Sequence, residues 1–205
     1  MSITIPNKVV LFDYGEVISV APSETDRAHI ADLAGGDSTA LWESYWRHRD
    51  ALDLGALTVR DYWRQIEQDL YACWDTALLH RLWLADFRSW LAVDQGTLDV
   101  LIDLQRGGTR MALLSNAGPD FASYYRHGLL GDFFERVFVS GELGMIKPGP
   151  DIFRAVLDGL AVPPHDVLFI DNREANVRGA EAVGIPGHVY TDSAELRAFL
   201  GTLAV

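Results

Sequence analysis

Four of the five short apolar runs in this chain are followed by residues whose types fit one reaction. Val9–Phe12 ends at Asp13, Met111–Leu114 at Ser115 and Asn116, and Val167–Ile170 at Asp171 and Asn172, while Lys147 lies in the loop after Val137–Val139. In an open parallel sheet, ligands bind beyond the carboxyl ends of the strands, so these residues converge on one edge. Two carboxylates brought together there repel unless a cation sits between them, and oxygen-only ligation with an accessible face suits Mg²⁺ better than zinc. A phosphate group completes such an ion's shell. Lys147, with Lys8 one of only two lysines, adds positive charge against the remaining phosphate oxygens, and Ser115 with backbone N–H groups at a helix start holds the same group. Singly, each residue type is ordinary at a strand end or helix cap. The set points to phosphate chemistry.

The elements that must position these residues follow from the period of the apolar pattern. The runs named above, with His188–Tyr190, are short, continuous and bounded by turn residues, as buried parallel strands are. Helical patterns at Asp120–His127, Asp151–Leu160 and Glu174–Val183 separate the later runs, and Thr97–Arg106 precedes the second. This alternation predicts a doubly wound, Rossmann-like α/β core with a five-stranded parallel sheet and right-handed crossovers. Residues 19–93 differ, since all six tryptophans lie there and the pattern is helical throughout. Thr58–Asp61 resembles a capping box with aspartate in the third position, and Val59, Tyr62, Trp63, Ile66 and Leu70 then recur at helical spacing. The partition expected is a core of residues 1–18 and 94–205 with a helical insert at 19–93.

Composition limits the partners. A chain of 205 residues that is 49% hydrophobic buries a sizeable core. With 17 basic against 29 acidic residues, net charge −12, it lacks the cationic footprint that nucleic acid or an anionic membrane would need. Cys73 is the sole cysteine, so no internal disulfide or cysteine-built metal site forms, and it is read as a small core residue. No basic stretch followed by a long apolar segment opens the chain. The expectation is a cytoplasmic protein, monomer or homodimer, acting on a small phosphorylated metabolite.

The ordered motifs resemble those of the haloacid dehalogenase-like superfamily. The first looks like Phe12-Asp13-Tyr14-Gly15-Glu16-Val17-Ile18, the second like Leu114-Ser115-Asn116, the third like Lys147-Pro148-Gly149-Pro150-Asp151-Ile152-Phe153, and the fourth like Phe169-Ile170-Asp171-Asn172 running to Asn176. The insert is similar to the helical cap many members carry. The resemblance implies a hydrolase in which Asp13 attacks phosphorus and becomes an aspartyl-phosphate. It also implies that Ser115, Asn116 and Lys147 hold the phosphoryl group and that Asp13, Asp171 and the carbonyl of Gly15 hold Mg²⁺. Asn172 and Asn176 would orient these groups.

Two departures bear on mechanism. Phosphatases of this superfamily usually carry a second aspartate two residues beyond the nucleophile, as acid and base, where this chain has Gly15. Glu16 is then the nearest carboxylate for that work. A first motif with glycine there also resembles a branch of small sugar-phosphate phosphatases. Paired acids are common where Asp171 is followed by neutral Asn172, so weaker Mg²⁺ binding is implied. The alternatives are a metal-independent 2-haloacid dehalogenase, which Asp171 disfavours, and a relative with lapsed catalysis that only binds phosphate or protein. Phosphonate-cleaving relatives form a Schiff base with a cap lysine, and residues 19–93 contain none. Substrate choice falls to the cap, with Arg47 and Arg49 as its candidate residues.

Overall fold

A computed structural model describes residues 2–205. Five strands, β1 (Val9–Phe12), β2 (Arg110–Ser115), β3 (Arg136–Val139), β4 (Val167–Asp171) and β5 (Gly187–Val189), form one parallel sheet in the order β3-β2-β1-β4-β5. Every residue of β1 is fully buried, which the unbroken apolar run Val-Val-Leu-Phe requires of a strand covered on both faces. Alternation then assigns the faces. Val10 and Phe12 pack with Val100, Leu104, Leu196 and Leu200 from α5 (Gln95–Arg106) and α10 (Ser193–Leu203). Val9 and Leu11 pack with Ile152, Phe153, Val156 and Ala180 from α8 (Pro150–Leu160) and α9 (Glu174–Glu181). The doubly wound sheet is as the apolar periodicity predicts. Helix α10 is the longest core element the strand pattern leaves out, although Asp192 caps it by accepting from Ala194 N and Glu195 N at 2.9 and 2.8 Å.

Residues 19–93 fold as α1 (Glu24–Ala34), α2 (Ser38–Asp53), α3 (Val59–Asp69) and α4 (Thr76–Ser89) around an apolar cluster of their own, centred on Tyr45, Tyr62, Trp63 and Ile66. Each has a side-chain N-cap: Ser23, Asp37, Thr58 and Asp75. The full capping box is at Ser23 and Asp26. At Thr58 the Asp61 carboxylate takes the threonine hydroxyl at 2.7 Å. The segment leaves and rejoins the sheet at one point, where Ser19 and Val93 bridge antiparallel and Val20 N donates to Ala92 O at 2.8 Å. Cys73 corrects its sequence reading: it is exposed in the turn between α3 and α4, whose apolar neighbour Trp74 takes the buried place instead.

The helices are fastened over the carboxyl edge of the sheet. Ser140, at the start of α7 (Ser140–Leu143), donates to Asp53 O at 2.5 Å, and Trp83 Nε1 donates to Asp120 Oδ2 at 2.8 Å on α6 (Asp120–His127). Gly55 lies where α2 meets α7 with φ +76°, and a Cβ there would stand 2.3 Å from Gly141 O. Only glycine satisfies both conditions. Among the described residues no helix is long and apolar enough to cross a membrane.

Candidate active site

The parallel register decides what meets at the carboxyl edge. Phe12 is level with Leu113 on one side and Ile170 on the other, so Asp13 emerges beside Asp171, with Ser115 just beyond. Asp13 N still donates to Ile170 O at 2.9 Å, which keeps the first carboxylate on the ladder. Successive connections run outward on opposite sides of β1, from β2 to β3 and from β4 to β5, so the β1–β4 boundary is the topological switch point.

Lys147 fills that boundary. Its Nζ lies 2.7 Å from Asp13 Oδ1 and 2.8 Å from Asp171 Oδ2, and it donates to Leu114 O at 3.2 Å. The Asn116 side chain fixes the lysine backbone, accepting from Lys147 N at 3.0 Å and donating to Lys147 O at 3.0 Å. This placement makes Asn116 a strut for the lysine loop. Burial penalises the ammonium, but Asp13 and Asp171 outweigh that and hold it above the ordinary lysine range. Burial pushes the Asp13 carboxyl up to about 7, opposed by Lys147 and aided by Asp171. Asp13 Oδ1 also accepts from Tyr14 N at 2.7 Å, so both contacts fall on one oxygen of a residue that lines the cleft.

Asp171, in the metal set that the resemblance implies, is held here by the protein's own donors. Its Oδ1 accepts from Arg173 N at 2.8 Å and Asn176 Nδ2 at 3.1 Å, and its Oδ2 from Lys147 at 2.8 Å and Asn176 Nδ2 at 2.9 Å. A carboxylate has about four lone-pair sites. All are engaged, the residue is fully buried, and it does not line the cleft. Asn172 stands at the cleft in its stead, donating to Glu16 Oε2 at 3.0 Å and so leaving its amide oxygen unengaged by that bond. Glu16 takes φ 59°, a left-handed conformation that costs a non-glycine residue of order 1 kcal/mol and turns its side chain along the cleft wall. At Gly15 the backbone is unconstrained, since a Cβ would meet only Trp90 Cζ3 at 3.7 Å. Ser115 Oγ lies 3.3 Å from Tyr125 Oη, and both line the cleft.

The two cap arginines separate. Residues two apart on a helix do not share a face, and Arg47 points outward, donating to Asp69 at 3.0 Å with its side chain 60% exposed. It does not line the cleft, which corrects its candidacy for substrate choice. Arg49 does line it and is buried, with Nε 2.9 Å from Asp53 Oδ1, Nη1 2.5 Å from Tyr45 Oη and 3.6 Å from Asp86 Oδ2. Asp53 lies one turn along the same helix, within reach by i,i+4 spacing, whereas no spacing argument exposes Asp86, because α4 is brought to α2 only by the packing of the helices. Burial pushes the Asp53 carboxyl up to about 6 despite Arg49. The folded chain therefore holds this proton more tightly than the unfolded chain, and between the ordinary value near 3.8 and about 6 stability falls as pH rises. Asp53→Asn removes that slope. Relative to wild type, the variant is expected to gain stability in urea titrations as pH rises from 4 to 7, and a constant difference would refute the assignment.

The sequence from 8 to 184 matches the family described as haloacid dehalogenase-like hydrolase. The chain belongs to this hydrolase family. Its sequence is 30% identical over 213 residues to the phosphoglycolate phosphatase of Rhodospirillum rubrum, covering 97% of this chain and 86% of that protein. Similarity to the phosphoserine phosphatase of Thermus thermophilus, 37% over 87 residues, covers 42% of this hydrolase and 35% of the relative. In structure it resembles a haloacid dehalogenase family enzyme of Bacteroides thetaiotaomicron solved with magnesium and inorganic phosphate, with TM-score 0.75, 22% identity, and coverage of 92% of this chain and 98% of the other. An L-2-haloacid dehalogenase gives TM-score 0.74 at 17% identity, covering 98% and 100%. The fold is common to both chemistries, so it does not choose between them.

Proposed function

We propose that this hydrolase cleaves small phosphate monoesters with Mg²⁺, through an aspartyl-phosphate on Asp13. The observation that carries the reading is the Lys147 bridge, which holds Asp13 Oδ1 and leaves the other carboxylate oxygen of this cleft-lining residue outside the bridge. Charge favours phosphate with a divalent ion. Asp13 and Asp171 share Lys147 between them, and Glu16 lines the same cleft, so a phosphate dianion arrives at an edge that already holds acidic groups. Among the described residues no three histidine, cysteine or acidic side chains converge. Mg²⁺ suits such a site, since it keeps several waters and rests on one or two carboxylates with substrate phosphate. Asp13 and the Gly15 carbonyl, with Asn172 in the place first given to Asp171, would hold it. Bound there, it would offset the repulsion between nucleophile and phosphate.

The remaining work falls to the chain. Lys147 neutralises the nucleophile's inner oxygen and keeps Asp171 from repelling it. Ser115 and the backbone N–H groups after β2 receive the phosphoryl oxygens, and helices α1–α4 over the cleft exclude water. Glu16, steadied by Asn172, is the carboxylate that protonates the leaving oxygen and later activates water. Glu16→Gln is expected to slow turnover by about 10²-fold while phosphorylated Asp13 accumulates. Gly15→Asp, for which there is space, should restore it. Unchanged turnover and pH profile in the Gln variant would remove Glu16 from the reaction.

The deciding experiment is phosphate release from a panel of monoesters, with Mg²⁺ and with a chelator, beside turnover of 2-chloropropionate. Release that needs Mg²⁺ is expected. Dehalogenation that persists in chelator, with no phosphate released, would replace this reading with the dehalogenase one.

A further inference from the structure

Beyond the phosphate edge the cleft continues between the helices, enclosing about 770 Å³ in all, far more than a phosphate group occupies. Its walls there are aromatic: Trp42, Trp46 and Trp90 with Phe121 and Tyr125. Trp46, 55% exposed, presents its indole on this wall. The ionic groups in this part divide into two kinds. Arg27 and Asp50 are exposed and screened by solvent, whereas Arg49, Asp53 and Asp86 are buried together. In that buried group one guanidinium faces two carboxylates, 2.9 and 3.6 Å away, and Tyr45 Oη donates to Asp86 at 2.7 Å.

Such an arrangement has no spare positive charge. The Arg49 cation is already matched, and a second anionic group on the substrate would meet Asp53 or Asp86 without a counter-charge. A neutral group meets no such penalty, and it can lie against the indole and phenyl faces of the wall. We propose that the ester's alcohol is neutral and seats on this aromatic wall, and that the Arg49–Asp53–Asp86 group rejects leaving groups bearing a second anion. This rests on the phosphatase reading and specifies its substrate class.

The test compares benzyl phosphate with 4-carboxybenzyl phosphate at pH 8 with Mg²⁺. The neutral alcohol's ester is expected to have a kcat/KM at least about tenfold higher, and Asp86→Asn is expected to narrow that ratio. Binding is read separately on the wild-type protein: benzyl alcohol should quench the tryptophan fluorescence, and 4-carboxybenzyl alcohol should do so only at concentrations at least about tenfold higher. Equal or reversed preference, with phosphate released, overturns the neutral subsite and leaves the phosphatase reading standing. Failure of both esters, with no phosphate on Asp13 from acetyl phosphate, overturns the phosphatase reading, and the alcohol titration then judges the subsite alone.

Discussion

Asp13→Asn is expected to lower phosphate release by about 10⁴-fold or more, to the background of the preparation, while the protein stays folded. The amide keeps the shape of the carboxylate and still accepts from Tyr14 N, but it has no anionic oxygen to attack phosphorus. Removing its charge also relieves a buried carboxyl that burial has pushed up to about 7. The variant should therefore be at least as stable as wild type at pH 8, and the two measurements together separate a chemical role from a structural one. Acid-labile phosphate trapped on the wild-type protein and absent from the variant would locate the covalent step. Activity that survives the substitution would place the reaction elsewhere.

Lys147→Met is expected to abolish turnover and also to destabilise the fold by about 3–5 kcal/mol, the usual result of stripping one partner from a buried ion pair. The methionine fills the channel beside Phe169, but Asp13 and Asp171 then face each other with no cation between them. The sign of the pH dependence follows from linkage. Without the lysine the Asp13 carboxyl moves further above its unfolded value, so the variant binds a proton that wild type does not, and its deficit should be greatest above pH 7 and shrink on acidification. Chemical denaturation at pH 5 and pH 8 measures it. A deficit independent of pH would mean that the lysine acts by packing alone.

Residue identity at the strand ends carried most of the fold and the centre of the site. Val9–Phe12 reads as a strand covered on both faces because nothing polar interrupts it, and Asp13 must then emerge at the edge. The same logic placed Ser115 and Lys147 beside it. It stopped at side-chain direction. Asp171 sits at the right level in the sheet, yet whether its oxygens face the cleft or turn under it depends on Lys147, Arg173 and Asn176, which only the folded chain assembles. The missed helix α10 and the exposed Cys73 have a similar origin, since short amphipathic stretches and turn residues are sorted by what they pack against.

The helical segment marks the boundary most clearly. Its sequence determined that there would be helices, through caps at Thr58 and the stripe from Val59 to Leu70, because local hydrogen bonds and a 3.6-residue period are properties of adjacent residues. The period also required that Arg47 and Arg49 point apart. Which of them entered the cleft, and that Asp86 would meet it there from another helix, was decided by tertiary packing alone: burial of a charge is settled by partners distant in the chain, and no local spacing encodes them.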